Sequence, residues 1–200
     1  MLKLFYIPKT RASRVRWMLE ELGVPYQLER IDLAYAKSEE YRRKVHPLNA
    51  VPALQDGEVM LIESAAIILH LADKFPEKGM GPPEGKRGTY YQWVIYAMAT
   101  LEPLVEQFVA HTSRRPEEKR IPSIAAESRA SFLTAARFAD EALRPGPFLF
   151  GDRLTAADVV LGSVLNWASV VGVLGGDLPT AQGYVDGLRA RPAFQAARRD

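Results

Sequence analysis

His46-Pro47-Leu48-Asn49-Ala50-Val51-Pro52-Ala53-Leu54 runs through Gln55-Asp56-Gly57-Glu58 and Val59-Met60-Leu61-Ile62 into Glu63-Ser64-Ala65-Ala66-Ile67. Asp-Gly between two short apolar runs reads as a tight β-hairpin. Glu63-Ser64 falls where a strand ends and a helix begins, and Ser64 is placed to cap a helix with Ile67, Ile68 and Leu71 on its apolar face. Two backbone features follow. Val51-Pro52 leads into an edge strand, whose free main chain can pair with an extended peptide. The helix start offers unpaired N–H groups and the positive end of a dipole, which suit a carboxylate.

Upstream, Leu2-Lys3-Leu4-Phe5-Tyr6 reads as a strand stopped by Pro8. Ser13 to Gly23 reads as a helix, with Val15, Met18, Leu19 and Leu22 on one face, Gly23 as its stop and Pro25 beyond. Tyr26 to Ile31 is a second strand, and a crossover of this kind implies parallel pairing. Ser38 to Val45 is a short polar helix, acidic at Glu39-Glu40 and basic at Arg42-Arg43-Lys44, as the helix dipole favours. A helix from Ser64 to about Phe75 follows the hairpin, so the first 77 residues read as a mixed α/β domain.

Pro76 to Gly88, rich in proline, glycine and charge, reads as an exposed linker. Beyond it every pattern is helical. Thr89 to about His111 is a long helix with Trp93, Ala97, Leu101 and Leu104 on one stripe and a kink expected at Pro103. Ile124 to Leu143 is a second, with Phe132, Ala135, Ala139 and Leu143 inward. Thr155 to about Val171 carries no charge beyond Asp158 and is expected to be buried on most sides. Thr155-Ala156-Ala157-Asp158 is a capping-box variant, so Asp158 is read as part of the fold rather than the chemistry. Shorter helices close the chain at Thr180 to Arg189 and Pro192 to Arg199. The expected division is therefore 1–77, a linker over 78–88, and an all-α domain over 89–200.

The chain has 200 residues, 48% hydrophobic and 25% charged, with a net charge of +2 that gives no reason to invoke nucleic acid or an acidic membrane surface. With no cysteine there is no disulfide, thiolate metal site or cysteine nucleophile. No signal peptide or membrane-length apolar run is visible, which suggests a cytoplasmic protein. His46, His70 and His111 share no metal spacing with carboxylates, so no metal is expected.

Val51-Pro52-Ala53-Leu54, with Glu63-Ser64 and Ala66-Ile67 after the hairpin, resembles the glutathione-binding domain of the glutathione transferase family. Gly151-Asp152-Arg153-Leu154-Thr155-Ala156-Ala157-Asp158 matches that family's structural Gly-x-x-x-Thr-x-Ala-Asp pattern, so the resemblance spans nearly the whole chain. It implies a thioredoxin-like N-terminal domain followed by the helical domain. It also implies a cis Val51-Pro52 bond, a homodimer built on the third and fourth helices, and glutathione as co-substrate. Glu63 and Ser64 would hold the γ-glutamyl end, and Val51 would pair its backbone with the cysteinyl part, flanked by Asn49, Ala50 and Pro52. His46 and Asn49 stand where the commoner family wording has Asn and Gly. Ala50 stands where many members place a Lys or Gln against the glycyl carboxylate.

The resemblance places the chemistry on glutathione's own thiol, whose anion the protein must favour. Thr10 is the first candidate for that contact, because it lies where theta-like and delta-like members place a catalytic serine. Tyr6, Ser13 and Arg11 are alternatives. Tyr6 sits where tyrosine-type classes keep their phenol, Ser13 is also placed to cap the first helix, and Arg11 offers charge. Tyr6, Ile7, Pro8, Tyr96, Met98 and Thr100 are the expected walls of a pocket for a small apolar electrophile. Two rival readings are a zeta-like isomerase, suggested by Arg14-Val15-Arg16, and a non-catalytic ligand-binding or interaction protein on the same fold.

Overall fold

The computed structural model describes residues 1–199. The described residues form two compact units, one of Met1–Gly81 joined by residues 190–199, the other of Pro82–Arg189.

In the first unit, β1 (Leu2–Tyr6), β2 (Tyr26–Arg30), β3 (Ala53–Asp56) and β4 (Val59–Ile62) form one sheet in the order β2-β1-β3-β4. β1 pairs parallel with β2, as the crossover predicts, and antiparallel with β3, which pairs antiparallel with β4. Period-two alternation splits the central strand. Tyr6 faces α1 (Ala12–Leu22), where the Arg16 guanidinium lies 5.3 Å from its ring centre. Phe5 faces the other way, into a cluster with Ile31, Ala36, Tyr41, Val45 and Ala53. Tyr41 and Ala36 come from α3 (Glu39–Lys44) and α2 (Leu33–Ala36), the latter a short helix that the sequence pattern does not signal. Val15, Met18, Leu19 and Leu22 of α1 are all buried, as their spacing predicts. α4 (Ser64–Lys74) packs beside α1.

The terminal helix α10 (Pro192–Ala196) belongs to this unit, not to the helical one in which the sequence reading placed it. The physical reason is a local clamp. Phe194 packs edge-on against Trp17 with ring centres 5.0 Å apart, and Arg191 donates two hydrogen bonds to Glu21 at 2.6 and 2.7 Å.

The second unit is wholly helical, with α5 (Arg87–Ile95), α6 (Glu102–Val109), α7 (Pro122–Ala142), α8 (Ala156–Val170) and α9 (Pro179–Arg189). Between α5 and α6 the helix widens to π geometry over Tyr96–Leu101. Pro103 has no N–H to give to the preceding turn, and the wider turns absorb that gap. Each such turn takes in extra residues. The buried positions therefore run Trp93, Ala97, Leu101, Val105 and Val109, and the inward residue is Val105 rather than the expected Leu104. In α7 the buried alanine is Ala136 rather than Ala135. α8 is buried nearly all round, as its lack of charge predicts.

Candidate functional site

The register brings one set of loops together. Phe5 pairs with Ala53 and Ala53 with Ile62, so the end of β1, the start of β3 and the end of β4 share one edge of the sheet. The loops there carry the non-glycine residues with positive φ: Lys9 at 60°, Asn49 at 53° and Glu63 at 68°. Such conformations cost energy in side-chain-bearing residues and concentrate at functional sites.

Glu63, not Ser64, precedes the first residue of α4, a shift of one position from the sequence reading. Its left-handed backbone turns the chain abruptly, and its exposed side chain makes no capping hydrogen bond, so the start of α4 has no side-chain cap. Ser64 opens the helix, is buried, and accepts a hydrogen bond from Arg14 Nη1 at 3.4 Å. The sequence reading named Arg14 only within the Arg14-Val15-Arg16 motif and did not connect it to Ser64. The available signal was a charged residue next to Val15 and one turn before Met18 on an otherwise apolar helix face.

The Val51-Pro52 peptide bond is cis, as the resemblance implies. Val51 lies just before β3, which is paired on both sides by β1 and β4 and is not the edge strand that the sequence reading expects; among the described residues no main-chain partner engages the Val51 N–H or carbonyl. Asn49 occupies a left-handed position, which explains how it stands in for a glycine: Asn is among the few side chains that tolerate αL. Its side-chain amide is spent on structure, donating to the Ala36 and Ser38 carbonyls at 2.7 and 2.9 Å. The Ala50 carbonyl accepts from the Tyr41 hydroxyl at 2.9 Å. These bonds tie the loop before Val51 to α2 and α3 and hold it in place. His46 is buried, and its Nδ1 accepts from the Leu48 N–H at 3.2 Å. Burial lowers its pKa, against a smaller upward pull from the Glu63 charge.

At the β1–α1 loop, Thr10 closes its own turn. Its hydroxyl donates to the Ile7 carbonyl at 2.7 Å and accepts from the Ala12 N–H at 3.2 Å. Thr10 therefore does the capping expected of Ser13, which instead lies buried inside α1. Arg11 is exposed at the helix start. Tyr6 is buried, while Ile7 and Pro8 are half-buried. Tyr96, Met98 and Thr100 fall in the π-helical stretch of the second unit, all half-buried. The Tyr96 hydroxyl donates to the Ala135 carbonyl at 3.0 Å and its ring packs against Trp93 and Phe138, so that side chain is engaged in packing its own unit.

Asp158 bears out its structural reading. Its carboxylate accepts from the Leu149 N–H, the Thr155 N–H and the Thr155 hydroxyl, each at 2.8 Å, and from the Tyr184 hydroxyl at 3.1 Å. Burial raises its pKa on balance, against the downward pull of these bonds.

Among the described residues no cluster of His, Asp and Glu is arranged to hold a metal ion, and no helix is long and apolar enough to cross a membrane.

Comparison with known proteins agrees with this geometry over both units. Residues 4–79 match the family model of the glutathione S-transferase N-terminal domain, and residues 122–196 that of the C-terminal domain. The chain is 31% identical to glutathione S-transferase Z2 of Arabidopsis thaliana over 98% of its own length and 90% of the relative's. It is 29% identical to glutathione S-transferase GST-4.5 of Xanthomonas campestris, over 87% of this chain and 86% of that one. Among solved structures it resembles the theta class glutathione S-transferase of Xanthomonas axonopodis pv. citri with glutathione bound, with a TM-score of 0.84 and 27% identity over 100% of this chain and 97% of the other. The chain belongs to the glutathione S-transferase family.

Proposed function

We propose that the protein is a glutathione transferase that binds glutathione on its first unit and directs the thiolate at a small hydrophobic electrophile. The observation that carries this reading is the start of α4, which has no side-chain cap and lies at the same end of the sheet as the main chain of Val51, unpaired among the described residues. An extended peptide bearing a carboxylate complements both. In this reading Val51 pairs with the cysteinyl backbone. Ser64 and the first N–H groups of α4 take the γ-glutamyl carboxylate, and Glu63 takes the amino group beside it.

Catalysis then consists of favouring an anion and placing it. A free thiol has a pKa near 8.5, and lowering it by about 2 units takes about 2.7 kcal/mol. We assign the sulfur contact to Thr10. Its hydroxyl donates to the Ile7 carbonyl, and rotation of the hydroxyl redirects that hydrogen bond to sulfur without loss of the proton. A hydrogen bond to an anion is worth about 1.5–3 kcal/mol net, against about 1 kcal/mol between neutral partners, so the exchange is downhill once a thiolate is present. The start of α1 lies next to this hydroxyl and adds its dipole. No metal takes part in this scheme, and no covalent enzyme intermediate is needed. We further propose a homodimer, a reading supported by exposed Tyr91, Ile95 and Phe138 in the second unit.

The test is to titrate the purified protein with glutathione, follow thiolate absorbance, and then add a chloronitrobenzene acceptor. Binding, a thiolate signal below the free thiol's pKa and turnover are expected. No binding overturns the reading, and binding without turnover of several electrophiles makes the protein a ligand carrier. Thr10→Val should abolish most of the thiolate signal at neutral pH while Thr10→Ser retains it. An intact signal in Thr10→Val would remove Thr10 from the sulfur.

A further inference from the structure

The two faces of the first unit's sheet are covered unequally. One carries α1 and α4, of 11 residues each; the other carries only α2 and α3, of 4 and 6. Strand register sorts this second face into rows. Phe5 shares a row with Ala53, Ile62 and Glu29, and Lys3 shares the next with Gln55, Met60 and Gln27. The short helices cover the middle of the first row, where Phe5 and Ala53 are buried with Ile31, Tyr41 and Val45. They stop short of the second. A cleft of about 540 Å³ lies at that step, with Phe5, Ile31, Val45 and Met60 as its apolar part. Its volume is that of a small-molecule site. All of its lining residues belong to the first unit, and none is assigned above to glutathione.

Lys3 gives the cleft its chemistry. β1 is paired on both sides, so this lysine rises from the middle of the sheet rather than from an edge. Its side chain is 31% exposed, and Glu29 Oε2, its ion-pair partner, is 3.9 Å away, beyond hydrogen-bond reach. Its ammonium lies 5.8 Å from the centre of the Phe5 ring. The acids of the cleft are already engaged: Asp32 accepts from the Tyr35 N–H at 2.7 Å and Glu29 from Gln27 Nε2 at 3.2 Å. Lys44, on the α3 wall, is tied to Glu40 only by an exposed pair, which is weak and easily exchanged. Three basic side chains, Lys3, Arg30 and Lys44, face two acidic ones, a balance that suits one negative charge rather than several. We propose that this cleft is a second ligand site, for a small planar aromatic carboxylate whose ring lies on Phe5, Ile31 and Met60 and whose carboxylate takes Lys3, with Lys44 closing from α3. The site stands whether or not the protein binds glutathione.

The test is calorimetric titration of the full chain with 2-naphthoate, alone and with saturating S-hexylglutathione present. Binding is expected in both cases with the same affinity. The neutral 2-naphthylmethanol should bind about tenfold more weakly or worse, and inorganic phosphate should not bind. Lys3→Gln should weaken 2-naphthoate about tenfold, while Lys3→Arg keeps most of the affinity. Lys44→Gln should weaken it about threefold, and Glu29→Gln, which removes the competing carboxylate, should tighten it about threefold. If Lys3→Gln does not fold, the last two variants carry the test, because they move the affinity in opposite directions. S-hexylglutathione binding should be unchanged in all four variants. Failure of wild type to bind 2-naphthoate, an affinity indifferent to Lys3, or displacement by S-hexylglutathione overturns the second site and leaves the glutathione reading standing. Absence of S-hexylglutathione binding overturns that reading alone.

Discussion

The starts of α4 and α8 are built from similar material and end up opposite. Each is entered after a short loop and carries a hydroxyl and an acid in its first positions: Glu63-Ser64 at one, Thr155 and Asp158 at the other. At α8 the acid folds back. Asp158 takes the Thr155 N–H and hydroxyl, the Leu149 N–H and the Tyr184 hydroxyl, and Thr155 and Asp158 complete a reciprocal capping box. At α4 the acid precedes the hydroxyl and its left-handed backbone leaves the end without a side-chain cap. Three other helix starts follow α8. Asp32 caps α2, Ser38 caps α3, and Asp140 accepts from the Ala181 N–H in the first turn of α9 at 2.8 Å. The starts of α5, α7 and α10 have no side-chain cap either, so what sets α4 apart is the left-handed Glu63 that precedes it and its place at the same end of the sheet as Val51.

The largest effect that sharpens this contrast is expected at the closed end. Asp158→Ala leaves several buried donors without an acceptor and should cost about 3 kcal/mol of unfolding free energy, measured by urea denaturation. The fraction that folds should bind glutathione as wild type does. Weakened binding in that variant would dissolve the distinction between the two ends.

Glu63→Gly comes next. Glycine adopts φ near +68° without the Cβ clash, so this change should raise stability by about 1 kcal/mol while weakening glutathione binding. A variant that is both more stable and equally tight in binding would mean that the strain at Glu63 serves no ligand.

The smallest effect is expected at His46. Burial makes its folded pKa lower than its unfolded value of about 6.5. The unfolded chain therefore binds more protons, and stability rises with pH up to about 6.5 and levels off above it. The urea midpoint of wild type should be lower at about pH 5.5 than at about pH 7.5, and His46→Gln should show a smaller drop. An equal drop in both would place the titrating group elsewhere.

Much of this was legible from residue patterns, and the parts that were not share a cause. The sheet, the hairpin and the buried α8 follow from periodicity, because alternation and 3.6-residue spacing are local. The displaced stripe at Val105 was hidden because a missing N–H at Pro103 changes the helix several residues earlier. The capping of α1 by Thr10 rather than Ser13, and the one-residue shift at Glu63, depend on backbone dihedrals that side-chain identity does not fix. The contact of Arg14 with Ser64 was hidden because the two lie 50 positions apart, and the place of α10 in the first unit because the groups that hold it, Trp17 and Glu21, come from the other end of the chain.

That last arrangement bears on the order in which the protein can be made. The ribosome delivers Trp17 early and Phe194 only after the whole of Pro82–Arg189 has emerged, so the first unit must wait, with one aromatic ring uncovered, while the second is synthesised. A nascent chain stalled after Arg189 should therefore show a solvent-exposed indole and bind a chaperone that recognises apolar surface, and release of the final segment should end both.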